Sequence, residues 1–231
     1  MSSHPIRKQK PSSIKARDRN KKLAIIAIIA IVAVVIGAFV MYSQGNSTTN
    51  VTPTPTPTTN ASPSSSPSGP TKVLFQTSMG NITIQLRADK PITSGNFEKV
   101  VRDGVLDGTL FHRVIAGFMI QGGMNTTASL TAIPDEIGSN NSNVRGTIAM
   151  ANAGPNTATS QFFINTVDNG NNIIDQAGNR FDSAYTTFGQ VVAGMDVVDA
   201  ISHVSVGPNP YTGENSQPLQ SVTLIKATIL S

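Results

Sequence analysis

Apolar and polar positions alternate through Lys72-Val73-Leu74-Phe75-Gln76-Thr77 and again through Ile82-Thr83-Ile84-Gln85-Leu86, with a Met79-Gly80 turn between. A period of two puts every second side chain on one face, so the two runs predict a β-hairpin. The period then changes. Thr93 or Ser94 can cap a helix whose Phe97, Val100 and Val101 fall at helical spacing, and Gly104 can end it. Further short strands are predicted around residues 111–115, 118–121, 147–150, 161–164 and 185–191, then a second amphipathic helix around 195–201 and a last strand at 222–229. Many short strands separated by Gly, Pro and Asn, with two helices, describe a mainly β fold. A closed antiparallel barrel is the expected form, because closure leaves no exposed edge.

Upstream of Thr71 the pattern differs in kind. Residues 23–42 are 20 positions without a charge, rich in Ile, Ala and Val. At about 1.5 Å per residue such a helix spans about 30 Å of hydrocarbon. It is apolar on every face, unlike a helix buried at a protein surface. Its length, and the absence of a small-x-small site after it, favour an uncleaved transmembrane anchor over the other reading, a cleaved signal. Residues 43–70 hold fourteen Ser or Thr and six Pro, no charge and almost nothing apolar. Such a segment is expected to stay disordered as a stalk. At about 3.1 Å per residue it reaches at most roughly 90 Å. The chain therefore divides into a basic tail (1–22), an anchor (23–42), a stalk (43–70) and one folded domain (71–231).

Charge sharpens that division. Eight of the seventeen Lys and Arg, but only one of the thirteen Asp and Glu, lie in residues 1–22, so the tail carries +7 and the remaining chain −3. The overall excess of +4 thus belongs to the tail and gives no basic face for nucleic acid. Positive residues stay on the cytoplasmic side of a membrane, so the N-terminus is expected inside and the domain outside. No cysteine is present, which excludes disulfides and thiolate metal sites, and the three histidines are scattered. No cofactor is expected.

Two islands carry the chemistry. The first is Phe111-His112-Arg113-Val114-Ile115-Ala116-Gly117-Phe118-Met119-Ile120-Gln121-Gly122-Gly123; the second runs Met150-Ala151-Asn152-Ala153-Gly154-Pro155-Asn156-Thr157-Ala158-Thr159-Ser160-Gln161-Phe162-Phe163-Ile164. Each joins apolar side chains and glycines to very few polar groups, the inventory of a mostly apolar pocket. Both islands resemble the signature segments of cyclophilins, the peptidyl-prolyl cis-trans isomerases inhibited by cyclosporin, and the resemblance covers the whole domain from residue 71. It implies an eight-stranded barrel capped by two helices and monomeric catalysis on proline-containing polypeptides. It makes Arg113 the catalytic residue beside a proline pocket formed by Phe118, Met119 and Phe163, with Phe181 at the family's pocket leucine. Gln121 matches the glutamine that orients the arginine; Ala151, Asn152 and Gln161 match groove positions; Tyr185 stands where many relatives have histidine. With the anchor, this describes an isomerase assisting exported or envelope proteins. A non-catalytic proline-binding module using the same groove is the alternative.

Two departures from the pattern stand out. Arg180 replaces the family's tryptophan, which bears on inhibitor binding, and the stretch from Met124 to Asp135 is shortened, which bears on the side pocket. Other residues have plainer readings: Phe111 and Phe162 suit a core, and His112 suits a packed, hydrogen-bonded histidine. Ser160, Asp182 and His112 evoke a hydrolase, but Ser160 lacks the glycine frame of a nucleophile elbow.

Overall fold

A computed structural model describes residues 70–170, 173–174, 178–210 and 212–230. The expected tail, anchor and all but the last residue of the stalk lie outside the described residues. Among the described residues no helix is long and apolar enough to cross a membrane.

The hairpin forms, with its turn one residue earlier than the expected Met79-Gly80. β1 (Lys72–Thr77) and β2 (Gly80–Leu86) pair with Thr77 opposite Gly80, so Ser78 and Met79 make the turn. Val73, Phe75, Ile82, Ile84 and Leu86 are buried, one face of the alternation. α1 follows (Pro91–Arg102), burying Phe97, Val100 and Val101. Its start differs from expectation. Pro91, whose fixed φ suits the first helical position, begins the helix ahead of Thr93 and Ser94. Neither of those caps it: Ser94 is buried and its hydroxyl donates to the Arg87 carbonyl at 2.7 Å. The cap comes from a distant loop. The Glu136 carboxylate accepts the backbone N–H groups of Ile92 (3.2 Å) and Thr93 (2.7 Å), while the buried Lys90 ammonium donates to the Glu136 carbonyl at 2.6 Å.

The remaining elements are β3 (Thr109–Leu110), β4 (Arg113–Ile115), β5 (Met119–Gly122), β6 (Thr147–Met150), β7 (Phe162–Asn165), α2 (Phe181–Ala184), β8 (Thr187–Ala193), α3 (Met195–Ser202), β9 (Val206–Pro208), β10 (Asn215–Pro218) and β11 (Thr223–Leu230). Nine strands form one antiparallel sheet in the order β3-β11-β1-β2-β8-β6-β7-β5-β4. Its two edge strands, β3 and β4, are consecutive in the chain and separated only by Phe111 and His112. The sheet must therefore curl until its edges meet. Counted as one kinked run, residues 109–115 make the eight strands the sequence implies, but the circle is closed by the chain itself rather than by a hydrogen-bonded β3–β4 ladder. Inside, Phe75 packs on Phe162 (centroids 5.2 Å apart), Phe97 on Phe188 (4.7 Å) and Phe111 edge-on against Phe162 (6.0 Å).

Three elements were not anticipated. α2 is a single turn, too short for a periodic signal. β9 and β10 form a separate hairpin against β4, in a segment whose Pro, Asn and Gly content hides any alternation. The start of α3 has a strict requirement: Gly194 has φ +83°, and a Cβ there would lie 2.2 Å from the Asn81 carbonyl oxygen.

His112 sits in the kink that closes the sheet. Part of the residue reaches the surface, but both ring nitrogens are shut off from solvent and lack a well-formed hydrogen bond, against the expectation of a bonded histidine. Burial pushes its pKa down to about 4, with the Arg113 charge acting in the same direction and the Leu110 backbone against it.

Two outcomes follow from these contacts. Glu136→Ala strips two N–H groups of α1 of their acceptor and is expected to cost about 1 to 3 kcal/mol in denaturant unfolding. For His112, the unfolded ring takes up its proton near pH 6.5 and the folded ring only near 4. Stability from this group is thus complete above pH 6.5 and lost as pH falls towards 4, a loss on the order of 3 kcal/mol. The difference between the unfolding free energies of the parent and His112→Gln, measured from pH 7 to 4, should change by that amount.

Candidate active site

The site is built on strands that are buried on both faces. Every residue of β5, β6 and β7 is buried, so alternation along them divides two apolar clusters rather than core from solvent. Ile120, Ile148, Phe162 and Ile164 face the barrel core; Met119, Ala149 and Phe163 join Phe118, Phe181 and Tyr185 in a second cluster outside it. Register aligns the outer face. Arg113 on β4 lies opposite Gln121 on β5, Gln121 opposite Phe163 on β7, and Phe163 opposite Ala149 on β6. One row of four side chains therefore crosses four neighbouring strands.

Three members of this row, Arg113, Gln121 and Phe163, line an open cleft of about 630 Å³, counting the solvent at its mouth, while Ala149 is fully buried in the second cluster. All ten residues singled out in the sequence line it: Arg113, Phe118, Met119, Gln121, Ala151, Asn152, Gln161, Phe163, Phe181 and Tyr185. Ala153, Thr157 and Thr159 line it as well. They stood inside the second island but carried no chemical signal of their own. Arg180, exposed before α2, does not line the cleft.

The apolar half is a stack of rings. Phe181 lies 5.6 Å from Phe118, 5.4 Å from Phe163 and 4.4 Å from Tyr185, and Phe163 meets Tyr185 edge-on at 5.5 Å. Buried asparagines hold the backbone behind these rings. Asn169 Nδ2 donates to the Phe118 carbonyl (2.8 Å), Asn141 Nδ2 to the Tyr185 carbonyl (2.9 Å) and Asn143 Nδ2 to the Phe181 carbonyl (3.3 Å). These asparagines come from stretches that read as polar loops. Their own partners satisfy them inside the protein, as burial demands.

The polar half centres on Arg113. Its side chain is only 7% exposed, not turned to open solvent as a groove residue would be. Nε donates to Glu214 Oε2 at 2.8 Å and Nη2 to Glu214 Oε1 at 3.3 Å, while Nη1 reaches Gln121 Oε1 at 3.5 Å. The guanidinium carbon stands 5.9 Å from the Phe118 ring centre. Gln121 Nε2 in turn donates to Gln161 Oε1 at 3.3 Å. Glu214 lies just before β10, 101 residues from Arg113, and nothing in the sequence pointed to it.

A short loop makes the far wall. Asn152 Nδ2 donates to the Ala184 carbonyl at 2.9 Å, tying the loop to α2. Asn156 has φ +61°, a left-handed conformation that asparagine tolerates, and it exchanges two bonds of 2.8 Å with Asp135. Burial raises the Asp135 carboxyl above its usual range. No hydrolase arrangement forms: the Ser160 hydroxyl donates to the Gly123 carbonyl, and the Asp182 carboxylate accepts from Asn143. Among the described residues no three His, Asp or Glu side chains cluster as metal ligands do.

Residues 72–229 match the family model for the cyclophilin type peptidyl-prolyl cis-trans isomerase/CLD. A peptidyl-prolyl cis-trans isomerase of Acinetobacter baylyi is 43% identical over 168 residues, covering 70% of this chain and 86% of the relative. Peptidyl-prolyl cis-trans isomerase B of Escherichia coli is 44% identical over 143 residues, covering 58% and 86% respectively. A crystal structure of a cyclophilin type isomerase from Cryptosporidium parvum superposes with a TM-score of 0.58 at 24% identity, over 71% of this chain and 99% of that one, a likeness of fold. The chain belongs to the cyclophilin-type peptidyl-prolyl cis-trans isomerase family.

Proposed function

We propose that Arg113 is the catalytic group of this isomerase, and that the domain works tethered outside a membrane on prolines of exported or envelope polypeptides. Rotation about a peptide bond must break amide resonance, against a barrier of about 18 to 20 kcal/mol. In the twisted amide the prolyl nitrogen becomes pyramidal and can accept a hydrogen bond. A guanidinium is always protonated and carries donors in a fixed fork, so it can serve that nitrogen without any proton transfer. The observation that carries the reading is the meeting of this group with an apolar floor in one cleft. Phe118, Met119, Phe163 and Phe181 offer the surface for a proline ring, and Arg113 stands at its edge.

Donor counting supports the role. Of five N–H groups on Arg113, Glu214 accepts one from Nε and one from Nη2, and Gln121 accepts one from Nη1. Among the described residues, one donor on each Nη atom is left for a substrate. The groove positions Ala151 and Asn152 flank the floor, where a bound peptide would run.

Tethering rests on the sequence alone. The charge-free run at 23–42 follows the basic residues 1–22, and residues 43–70 have the composition of a spacer. Uncatalysed proline isomerisation takes tens to hundreds of seconds, slow enough to limit folding after export.

The test begins at Arg113. Arg113→Lys keeps a charge to pair with Glu214 but loses the fork, and is expected to fold and to lower kcat/KM on a short Xaa-Pro peptide roughly ten- to a hundredfold, equivalent to one charge-assisted bond. Unchanged kcat/KM in the folded variant would remove the assignment. A fragment starting at Thr71 should be soluble, monomeric by light scattering and fully active, since the Thr71 carbonyl already accepts the Leu86 N–H at 2.8 Å and β1 begins at the next residue. In spheroplasts, an added protease should reach the domain of the full chain without membrane disruption; protection until detergent is added would reverse the topology.

A further inference from the structure

We infer that Glu214 is a positioning residue of the isomerase: it fixes the plane of the Arg113 guanidinium so that the remaining donors face the proline cleft. The inference rests on the assignment of Arg113 as the catalytic group.

An arginine side chain has a flexible stem, and one hydrogen bond leaves its terminal group free to swing. Two parallel bonds from a carboxylate fix the plane. Glu214 supplies both, at 2.8 and 3.3 Å, in a pair whose side chains are only 7% and 9% exposed. The Glu214 residue is itself held through its backbone. Its backbone carbonyl accepts the Asn209 N–H at 2.7 Å, its own N–H donates to Thr212 Oγ1 at 3.2 Å, and the β9–β10 hairpin that carries it packs on β4, the strand of Arg113. Gln121 approaches the guanidinium from the opposite strand neighbour, so the group is bounded on both sides.

A structural role alone would also pair the two charges, because a buried arginine without a partner is costly. The two roles differ in what they move. Charge pairing sets stability; positioning sets the turnover step, where a displacement on the order of 1 Å is felt strongly, while peptide binding on the apolar floor is spared.

The experiment uses the full chain and reads kcat and KM for a short Xaa-Pro peptide, with unfolding measured in parallel, for E214A, E214Q, R113K and the double variant R113K/E214A. Positioning predicts that folded E214A loses about tenfold or more in kcat with KM changed less than about twofold. E214Q, which keeps one acceptor oxygen, should fall between E214A and the parent. The double variant should be no slower than R113K, because Glu214 acts through the fork that R113K has already removed. The inference is overturned if folded E214A keeps its kcat, or if the two losses multiply. Should E214A fail to fold, E214Q decides: parental kcat overturns the inference, and a lower kcat at unchanged KM supports it. Full activity of R113K is a different failure, since it removes the catalytic assignment on which this one stands.

Discussion

Strict alternation of side chains along strands that are buried twice is the constraint on which this molecule depends. β5, β6 and β7 have no solvent face, so alternation sends successive residues either to the barrel core or to the outer side that bears the second cluster and the cleft. Phe162 and Phe163 are neighbours in sequence and belong to different clusters. A register slip of one residue would move Phe163 into the core and withdraw Gln121 from Arg113. The same packing that makes the barrel stable therefore sets the row from Arg113 to Ala149, and the two cannot drift apart.

Curling of the sheet supplies the second half of the site. Because β3 and β4 are joined by only two residues, the last strand, β11, is brought to the edge of the run that bears Arg113: the Phe111 N–H donates to the Val222 carbonyl at 2.9 Å. The β9–β10 hairpin lies just before that strand in the chain and is thereby delivered beside β4. Glu214 reaches Arg113 by this route. On the other side, buried asparagines satisfy carbonyls of Phe118, Phe181 and Tyr185, which belong to irregular backbone or a single helical turn and have no full ladder to bond to.

What the sequence made legible follows the reach of each signal. The β1–β2 hairpin, α1, α3 and the last strand were visible because a period of two or 3.6 is written into consecutive residues. Ten of the thirteen residues lining the cleft were named because two islands hold nearly all of those ten within short stretches. The start of α1 was misplaced because its cap comes from Glu136, more than 40 residues away, while Thr93 and Ser94 are capping residues by type and sit inside the first turn. His112 was expected to be bonded, yet the kink that closes the sheet buries its ring nitrogens without placing a good acceptor or donor before them. The near-complete burial of Arg113 was not legible for a related reason. A local pattern cannot reveal a carboxylate 101 residues distant.

That carboxylate changes how the cleft must be understood electrically. Alone, Arg113 would place a full positive charge beside an apolar floor, favouring acidic peptides and water alike. Glu214 does not itself line the cleft, but its pairing offsets that charge, and the other lining residues carry no formal charge. Breaking a buried pair by removing one partner generally costs about 3 to 5 kcal/mol, because the survivor is left charged and unsolvated. Truncating Arg113 to alanine would thus weaken the fold as well as the chemistry, and lost activity in that variant would not separate the two. Retaining the charge and changing only the fork keeps them apart, because Glu214 still has a cation to face while the donors that Glu214 and Gln121 leave unused are rearranged.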